Sequence, residues 1–293
     1  VNVTRLVIFI IWLFHRLPLS VLSLIGRFLG TLSYVFVLPR KRVAATNLAL
    51  CFPDLDASAR KRLLLRHFQA LGRSMLERGL LWWASPERLR RIIRFEGEEH
   101  LRALVQAGTP VILLAPHFTG LDAGGVRVAM SFDSVSMYSR QKKNPVLDCW
   151  LYRGRKRFGD QVLLSRQDGV RGVVKAMKSG RPFYYLPDMD YGRKDAIFVP
   201  FFGVEAATIT GLSRLARLTR ARVLPCVTRM LPGGAGYVLE IGEAWENFPT
   251  ADIEADTRRM NEWIENVART MPEQYYWVHR RFKTRPVGQA RIY

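Results

Sequence analysis

Two short segments of this chain hold side chains able to do chemistry. The first is Pro116-His117-Phe118-Thr119-Gly120-Leu121-Asp122, directly after the apolar run TPVILLA at 109–115. An aspartate five residues after a histidine is turned by about 140° on an ideal helix, so the two do not share a helical face. They meet if His117 sits in a strand-to-helix turn and Asp122 in the first helical turn. The carboxylate then fixes the tautomer of the imidazole and leaves its other nitrogen as a general base. Of the five histidines, only His117 has an acid at this spacing. No nucleophilic Ser or Cys stands close by in sequence, so such a base would act on a substrate hydroxyl. The plain alternative is a satisfied surface histidine.

The second segment follows the run PFYYLP and reads Asp188-Met189-Asp190-Tyr191-Gly192, then Phe198-Val199-Pro200-Phe201-Phe202-Gly203. A calcium loop fails, because the pattern wants a third acid before the glycine and a glutamate where Val199 stands. An Asp-x-Asp after a strand also suits a divalent ion in a nucleotide-sugar transferase acting on a membrane lipid. The third reading has Asp188 and Asp190 orienting basic groups or a substrate sugar, with no metal, and Gly192 supplying a positive φ. The aromatic stretch 198–202 reads as a loop, serving either as a wall for a hydrocarbon chain or as core. Between the two segments lie Arg140, Lys142, Lys143, Arg153, Arg155, Lys156 and Arg157. Most read as a solvated face, but a phosphate-bearing substrate would need some of them.

These residues need a scaffold. The chain has 293 residues, 48% hydrophobic and 24% charged, which excludes a disordered tail and allows a full core. Lys and Arg total 45 against 25 Asp and Glu, a net charge of +20. That imbalance points to anionic partners: nucleic acid, acidic headgroups or an acidic protein. No nucleic-acid module, Walker A loop or G-x-G-x-x-G appears, so nucleic acid is set aside. Cys51, Cys149 and Cys226 are too few and too scattered for a disulfide framework or a zinc site, and a reducing compartment fits. Cys149 is flanked by apolar residues without a nearby histidine, which argues against a thiolate nucleophile.

Helical and strand patterns alternate through the body. Helices are expected at 58–82 (capped by Ser58), 97–107, 144–158, 168–179, 208–220 and 252–270. Strands are expected at 109–115, 133–138, 161–164, 182–187, 222–228 and 237–242. The order predicts an α/β fold with a mostly parallel central sheet flanked by helices, and chemistry beyond the carboxyl ends of the strands. Residues 3–38 are almost wholly apolar, broken at His15-Arg16 and Arg27. No uncharged run reaches the ~18 residues of an unambiguous span. Arg16, Ser20, Ser23, Arg27, Thr31 and Tyr34 form one polar helical stripe, so the segment either lies in the interface or inserts with that stripe against protein. Arg40-Lys41-Arg42 follows, which by the positive-inside rule puts the body in the cytoplasm. The chain thus divides into an N-terminal membrane anchor at 1–40 and a catalytic domain at 41–293.

Taken together, the sequence resembles the late acyltransferases of lipid A biosynthesis in Gram-negative bacteria, the lauroyl/myristoyl transferase family. The likeness is carried by His-x4-Asp at 117–122 and by Tyr138-Ser139-Arg140 with Asn144-Pro145 and Gly154-Arg155. It continues through PDMDYG…FVPFFGVEAATITG at 187–211 and PEQYYWVHRRFKTRP at 272–286. Met189, where relatives often have Gln or His, and Ser139 are minor departures. The resemblance implies a glycerolipid-acyltransferase-like fold. It also implies transfer of an acyl chain from acyl carrier protein to the hydroxyl of a hydroxyacyl chain on a Kdo-bearing lipid A precursor. The place implied is the cytoplasmic face of the inner membrane, beside anionic lipid. His117 is the expected base and Asp122 its orienting acid. Arg140 and Arg155 are expected on phosphate or phosphopantetheine, and backbone N–H groups near Gly120, or Arg155, at the oxyanion. Asp188, Asp190 and Gly192 are expected around the substrate. No cofactor is needed, because the thioester is already activated.

Overall fold

Proline makes the first division of the chain. Pro18 has no N–H to donate and restricts the residue before it, so the apolar N-terminus is two helices and not one. They are α1 (Asn2–Phe14) and α2 (Leu19–Phe36) in the computed structural model, which describes residues 2–165 and 169–293. Two further helices, α3 (Leu38–Cys51) and α4 (Ala57–Trp83), complete an all-helical first quarter. The cap of α4 is Asp56, whose side chain accepts from the Ala59 N–H at 2.7 Å, rather than Ser58.

The body then alternates between helix and strand. Its elements are α5 (Pro86–Ile92), β1 (Ile93–Glu96), α6 (Glu98–Gln106), β2 (Val111–Leu114), α7 (Leu121–Ala129) and β3 (Val135–Met137). There follow α8 (Pro145–Arg155), β4 (Val162–Leu164), α9 (Gly169–Lys178), β5 (Phe183–Tyr185), β6 (Ala196–Phe201) and β7 (Val204–Ile209). The last are α10 (Gly211–Thr219), β8 (Arg222–Met230), β9 (Tyr237–Ile241) and α11 (Ile253–Thr270). Of these, α5, β1, α7 and the pair β6 and β7 lie beyond the elements expected. The helix expected at 168–179 is α9, and its expected first residue lies outside the described residues.

Seven strands form one sheet in the order β1-β9-β8-β2-β5-β3-β4. Every neighbouring pair is parallel except β8 and β9, which run antiparallel. The remaining pair, β6 and β7, is an antiparallel hairpin of its own. Its turn is Phe202-Gly203, with φ of +52° and +74°, the left-handed pair that a two-residue hairpin demands. The aromatic stretch 198–202 is therefore mostly strand and not loop.

The central strand β2 shows why the sheet is covered on both faces. Ile112 and Leu114 enter one core with α3, α9, α10 and α11, while Val111 and Leu113 enter a second with α6 and α7. Successive strand residues point to opposite faces, so an unbroken apolar run is what two covered faces require. Helix α4 joins the layers: Leu63, Leu64 and Phe68 belong to the first core, Leu76, Leu80 and Leu81 to the second.

Helix α2 lies directly on α4. Its buried side is Leu19, Leu22, Ser23, Gly26 and Gly30. A Cβ at Gly30 would stand 2.2 Å from the Phe68 carbonyl oxygen, and one at Gly72 would stand 2.2 Å from that of Gly26. Only glycine lets two helix backbones approach so closely. The face turned to the protein is thus this small-residue face. Arg27, in the middle of the polar stripe, is exposed.

Candidate active site

Strand β2 delivers His117 past its carboxyl end, where the chain turns into α7. The backbone here is tied on both sides. The Tyr276 N–H donates to the His117 carbonyl at 3.0 Å, and the Thr119 N–H donates to the Gln274 carbonyl at 2.8 Å. Phe118 and Tyr275 form an isolated antiparallel bridge, with their rings edge to face. The segment 274–276 therefore acts as a splint for the catalytic turn.

The carboxylate that reaches the imidazole is Asp188, not Asp122. Asp188 Oδ1 lies 2.7 Å from His117 Nδ1, and Asp188 Oδ2 accepts the His117 backbone N–H at 2.9 Å. One carboxylate thus holds both the ring and the main chain of the same residue. With Nδ1–H donating to Asp188, the lone pair sits on Nε2, and that nitrogen has no hydrogen-bond partner among the described residues. The imidazole is 18% exposed and the carboxylate 1%. Burial would push the Asp188 carboxyl up, but the charge and hydrogen bonds of His117, with Arg281 behind, hold it below the usual carboxylate range. Asp188 is placed by the end of β5, the neighbour of β2 in the sheet, so two adjacent strand ends build the pair.

Asp122 has a different task. It lies in the first turn of α7 and faces α4 and α8. Arg78 Nη2 approaches its Oδ2 at 2.6 Å, and Arg155 Nη2 approaches its Oδ1 at 3.1 Å. Burial opposes ionisation here too, yet the two guanidinium groups hold this carboxyl far below its ordinary value. The expected His117–Asp122 bond is absent although both residues stand where it was expected, in the turn and in the first turn of α7: Asp188 occupies His117 Nδ1, and Asp122 is drawn to Arg78 and Arg155. Arg78, at the buried end of a 27-residue helix, carried no local signal in the sequence.

The other expected positions divide clearly. Arg155 belongs to this cluster and lies over the Tyr138 ring. Arg140 is on the exposed 139–144 loop. Asp190 is a structural tie: its Oδ1 accepts from the Gly192 N–H at 2.9 Å and the Thr284 hydroxyl at 2.8 Å, and its Oδ2 accepts the Thr284 N–H at 2.6 Å. Gly192 has the positive φ expected of it, +94°. With Asp188 committed to His117 and Asp190 to Gly192 and Thr284, neither is left as a ready ligand for a divalent ion. Among the described residues no group of three or more His, Cys, Asp or Glu side chains is placed to hold a metal.

Two spaces flank the turn 117–122. A small one of about 10 Å³ is bounded by His117, Asp188, Met189, Tyr276, His279 and Asn47, among others. The other, about 60 Å³, runs along one face of α7 from Asp122 past Gly125 and Val126 to Ala129. Trp82, Met137, Phe158, Leu163, Tyr184 and Leu186 supply apolar walls. Met137 and Leu186 lie at or just past carboxyl strand ends, beside Asp122 and Arg155, so that end is the mouth. Ser134 and Gln161 stand before the amino ends of β3 and β4 and close the floor. There the Ser134 N–H donates to Gln161 Oε1 at 3.1 Å, and Gln161 Nε2 donates to the Phe132 carbonyl at 3.1 Å. The arrangement is an apolar slot with an ion cluster at its mouth and a satisfied polar floor.

Buried histidines make the scaffold around the site sensitive to acid. His67 Nδ1 meets the Glu273 carbonyl at 3.0 Å, and the Asp190 N–H donates to His279 Nε2 at 2.9 Å. Burial lowers both pKa values to about 4. A depressed histidine favours the folded state only while it stays neutral. Stability is therefore full above the unfolded value near 6.5 and declines as pH falls from there toward 4. For wholly buried His67 this amounts to roughly 3 kcal/mol at the limit, and to less for half-buried His279. The melting temperature is expected to fall between pH 7.5 and pH 5, and to fall less in His67→Leu. Equal slopes in the two proteins would place the protonating group elsewhere.

The chain is similar to known proteins over most of its length. Residues 2–284 match the family model described as bacterial lipid A biosynthesis acyltransferase. The chain is 36% identical over 286 residues to the lipid A biosynthesis lauroyltransferase of Escherichia coli K12, covering 97% of this chain and 92% of that protein. It is 35% identical to the palmitoleoyltransferase of the same strain, with the same coverage, and 29% identical to its myristoyltransferase over 93% of this chain and 83% of that protein.

Proposed function

Because the chain belongs to the bacterial lipid A biosynthesis acyltransferase family, we propose that it moves an acyl chain from acyl carrier protein to a hydroxyl on a hydroxyacyl chain of a Kdo-bearing lipid A precursor. The reaction takes place at the cytoplasmic face of the inner membrane. The observation that carries the mechanism is the histidine clamped by Asp188 at the carboxyl end of β2, in a turn that leads through Asp122 to an apolar slot. A base without a nucleophile of its own suits the deprotonation of a substrate hydroxyl.

In this reading His117 Nε2 takes the hydroxyl proton as the acceptor oxygen attacks the thioester carbonyl carbon. Asp188 holds the ring and stabilises the imidazolium. The tetrahedral intermediate collapses with cleavage of the C–S bond, and Nε2 returns the proton to the departing sulfur. The products are an ester and a free thiol, and His117 is neutral again. Backbone N–H groups at Gly120 and the guanidinium of Arg155 are the donors for the oxyanion. Asp122 positions Arg155 and Arg78, and Arg140 on the exposed loop meets phosphate or phosphopantetheine. Asp190 and Gly192 shape the loop that carries Asp188. The slot takes the donor chain. At about 60 Å³ it is narrower than a fatty chain, and Met137, an unbranched and adaptable side chain, is the wall that turns aside. Acyl carrier protein is acidic and the acceptor is phosphorylated, so a protein of net charge +20 suits both. Residues 1–40 are the anchor and 41–293 the catalytic unit.

The test is a transfer assay with purified protein, a lipid A precursor, and acyl donors of several lengths on acyl carrier protein and on coenzyme A. Addition of one chain, preference for the carrier-protein donor and indifference to EDTA are expected. Abolition of turnover by EDTA would return Asp188 and Asp190 to the role of metal ligands in a lipid glycosyltransferase.

A further inference from the structure

We infer that α1 and α2 do not cross the bilayer but lie in its plane, forming with α4 an apolar platform that docks into one anionic leaflet. By length and composition α2 passes for a span: its 18 residues average 1.5 in hydropathy. At 1.5 Å per residue it would extend about 27 Å, close to the ~30 Å of hydrocarbon. Its neighbours forbid that placement. Helix α2 touches α4 backbone to backbone at Gly26, Gly30 and Gly72, and α1 does the same at Gly79, where a Cβ would meet Ile11 Cγ2 at 2.4 Å. Any bilayer around α2 would also enclose this stretch of α4, with exposed Arg66 and the buried Arg73–Glu77 pair. At the Leu19 end of α2 the irregular turn at 231–236 would meet the headgroup boundary: Gly234 packs on Leu19 and Ser20, and the Leu231 carbonyl accepts from Arg73 at 3.0 Å. At mid-depth the bilayer would hold Arg27, exposed in the middle of α2, and the Arg73–Glu77 pair beside Gly26, and charge at that depth is costly.

What the platform presents outward is apolar. Val3 is 75% exposed, Leu24 68%, Phe28 62% and Phe36 74%. Met75, set between Gly72 and Gly79 on the same face of α4, is 64% exposed. Cations surround this surface: Arg16, Arg27 and Arg40 are exposed, and Lys41 lies 4.0 Å over the Tyr34 ring. An apolar face with a basic rim matches a leaflet whose headgroups carry negative charge, and such helices sink ~5–10 Å into the headgroup boundary. The inference rests on the membrane location proposed above and decides its geometry.

The test uses the full chain carrying Cys149→Ser and one added cysteine, Leu24→Cys, Phe28→Cys or Val35→Cys. Each variant is labelled with an environment-sensitive dye and mixed with phosphatidylglycerol-containing vesicles that bear quenchers at set depths. In-plane docking predicts equal, shallow depth at all three positions. It also predicts binding that weakens at least tenfold in neutral phosphatidylcholine vesicles and in Arg27→Glu. A span predicts depths that differ along the helix, or a label reached by an impermeant reagent from the far side, and either result overturns the inference. Labels shielded without lipid in a particle of doubled mass would also overturn it, in favour of a second copy on this face. Failure to bind any vesicle would instead remove the membrane location itself. Circular dichroism confirms that each variant is folded.

Discussion

Replacement of His117 with alanine is expected to lower kcat for acyl transfer by about two to four orders of magnitude. KM for the acyl donor should move little. In the proposed mechanism the imidazole holds a proton during attack and returns it to sulfur, and alanine can do neither. The loss is expected to be catalytic and not structural, because the ring is 18% exposed and the main chain of residue 117 remains tied through the Tyr276 N–H. A collapsed kcat in a protein that still folds, with a melting temperature lowered only by the loss of the partner of buried Asp188, is the signature to look for. A folded His117→Ala enzyme with the rate of the parent would remove the base from the mechanism.

The second large effect separates two aspartates. Asp188→Asn should cost about as much as His117→Ala, because the amide no longer favours Nδ1–H or the imidazolium; in a triad, loss of the orienting carboxylate costs ~10⁴. Asp122→Asn removes the charge that holds Arg78 and Arg155, so it should lower stability and, through the displaced oxyanion donor Arg155, lower kcat by less than Asp188→Asn does. The two variants and His117→Ala can be compared in one assay, with kcat and KM separated. Non-additivity between His117→Ala and Asp188→Asn is expected, since they act as one unit. If Asp122→Asn is the more damaging to kcat while remaining folded, the imidazole must turn to Asp122 when substrate is bound, and the pairing with Asp188 is a resting arrangement.

How far a sequence can be read is clear from these same residues. Strand β2 was legible because a short apolar run is a local pattern, whereas helix α7 was legible only as the first helical turn that would hold Asp122. The position of His117 was legible through its place at the end of that run. Its partner was not, because His117 and Asp188 are 71 positions apart and meet only when β2 pairs with β5. The nearer Asp122 looked the better partner because spacing along the chain was the only distance in view. Arg78 was hidden for the same reason. The hairpin of β6 and β7 was missed because its turn is Phe202-Gly203 rather than an Asn-Gly pair, and because Pro200 sits inside the first strand. At the N-terminus, the apolar character was plain, but the glycines that dock α2 on α4 carry no pattern until the second helix is known.

The splint formed by residues 274–276 orders events in time as well as in space. A ribosome releases this chain from its first residue onward, so α1, α2 and α4 emerge and can meet long before Tyr276 exists. His117 also emerges early, but its carbonyl finds the Tyr276 N–H, and Thr119 finds Gln274, only when the last segment is synthesised. The nascent chain therefore holds α1, α2 and α4 complete while the turn at 117–119 still lacks its support. On the proposed reading, a newly made molecule settles on lipid before it is able to act there.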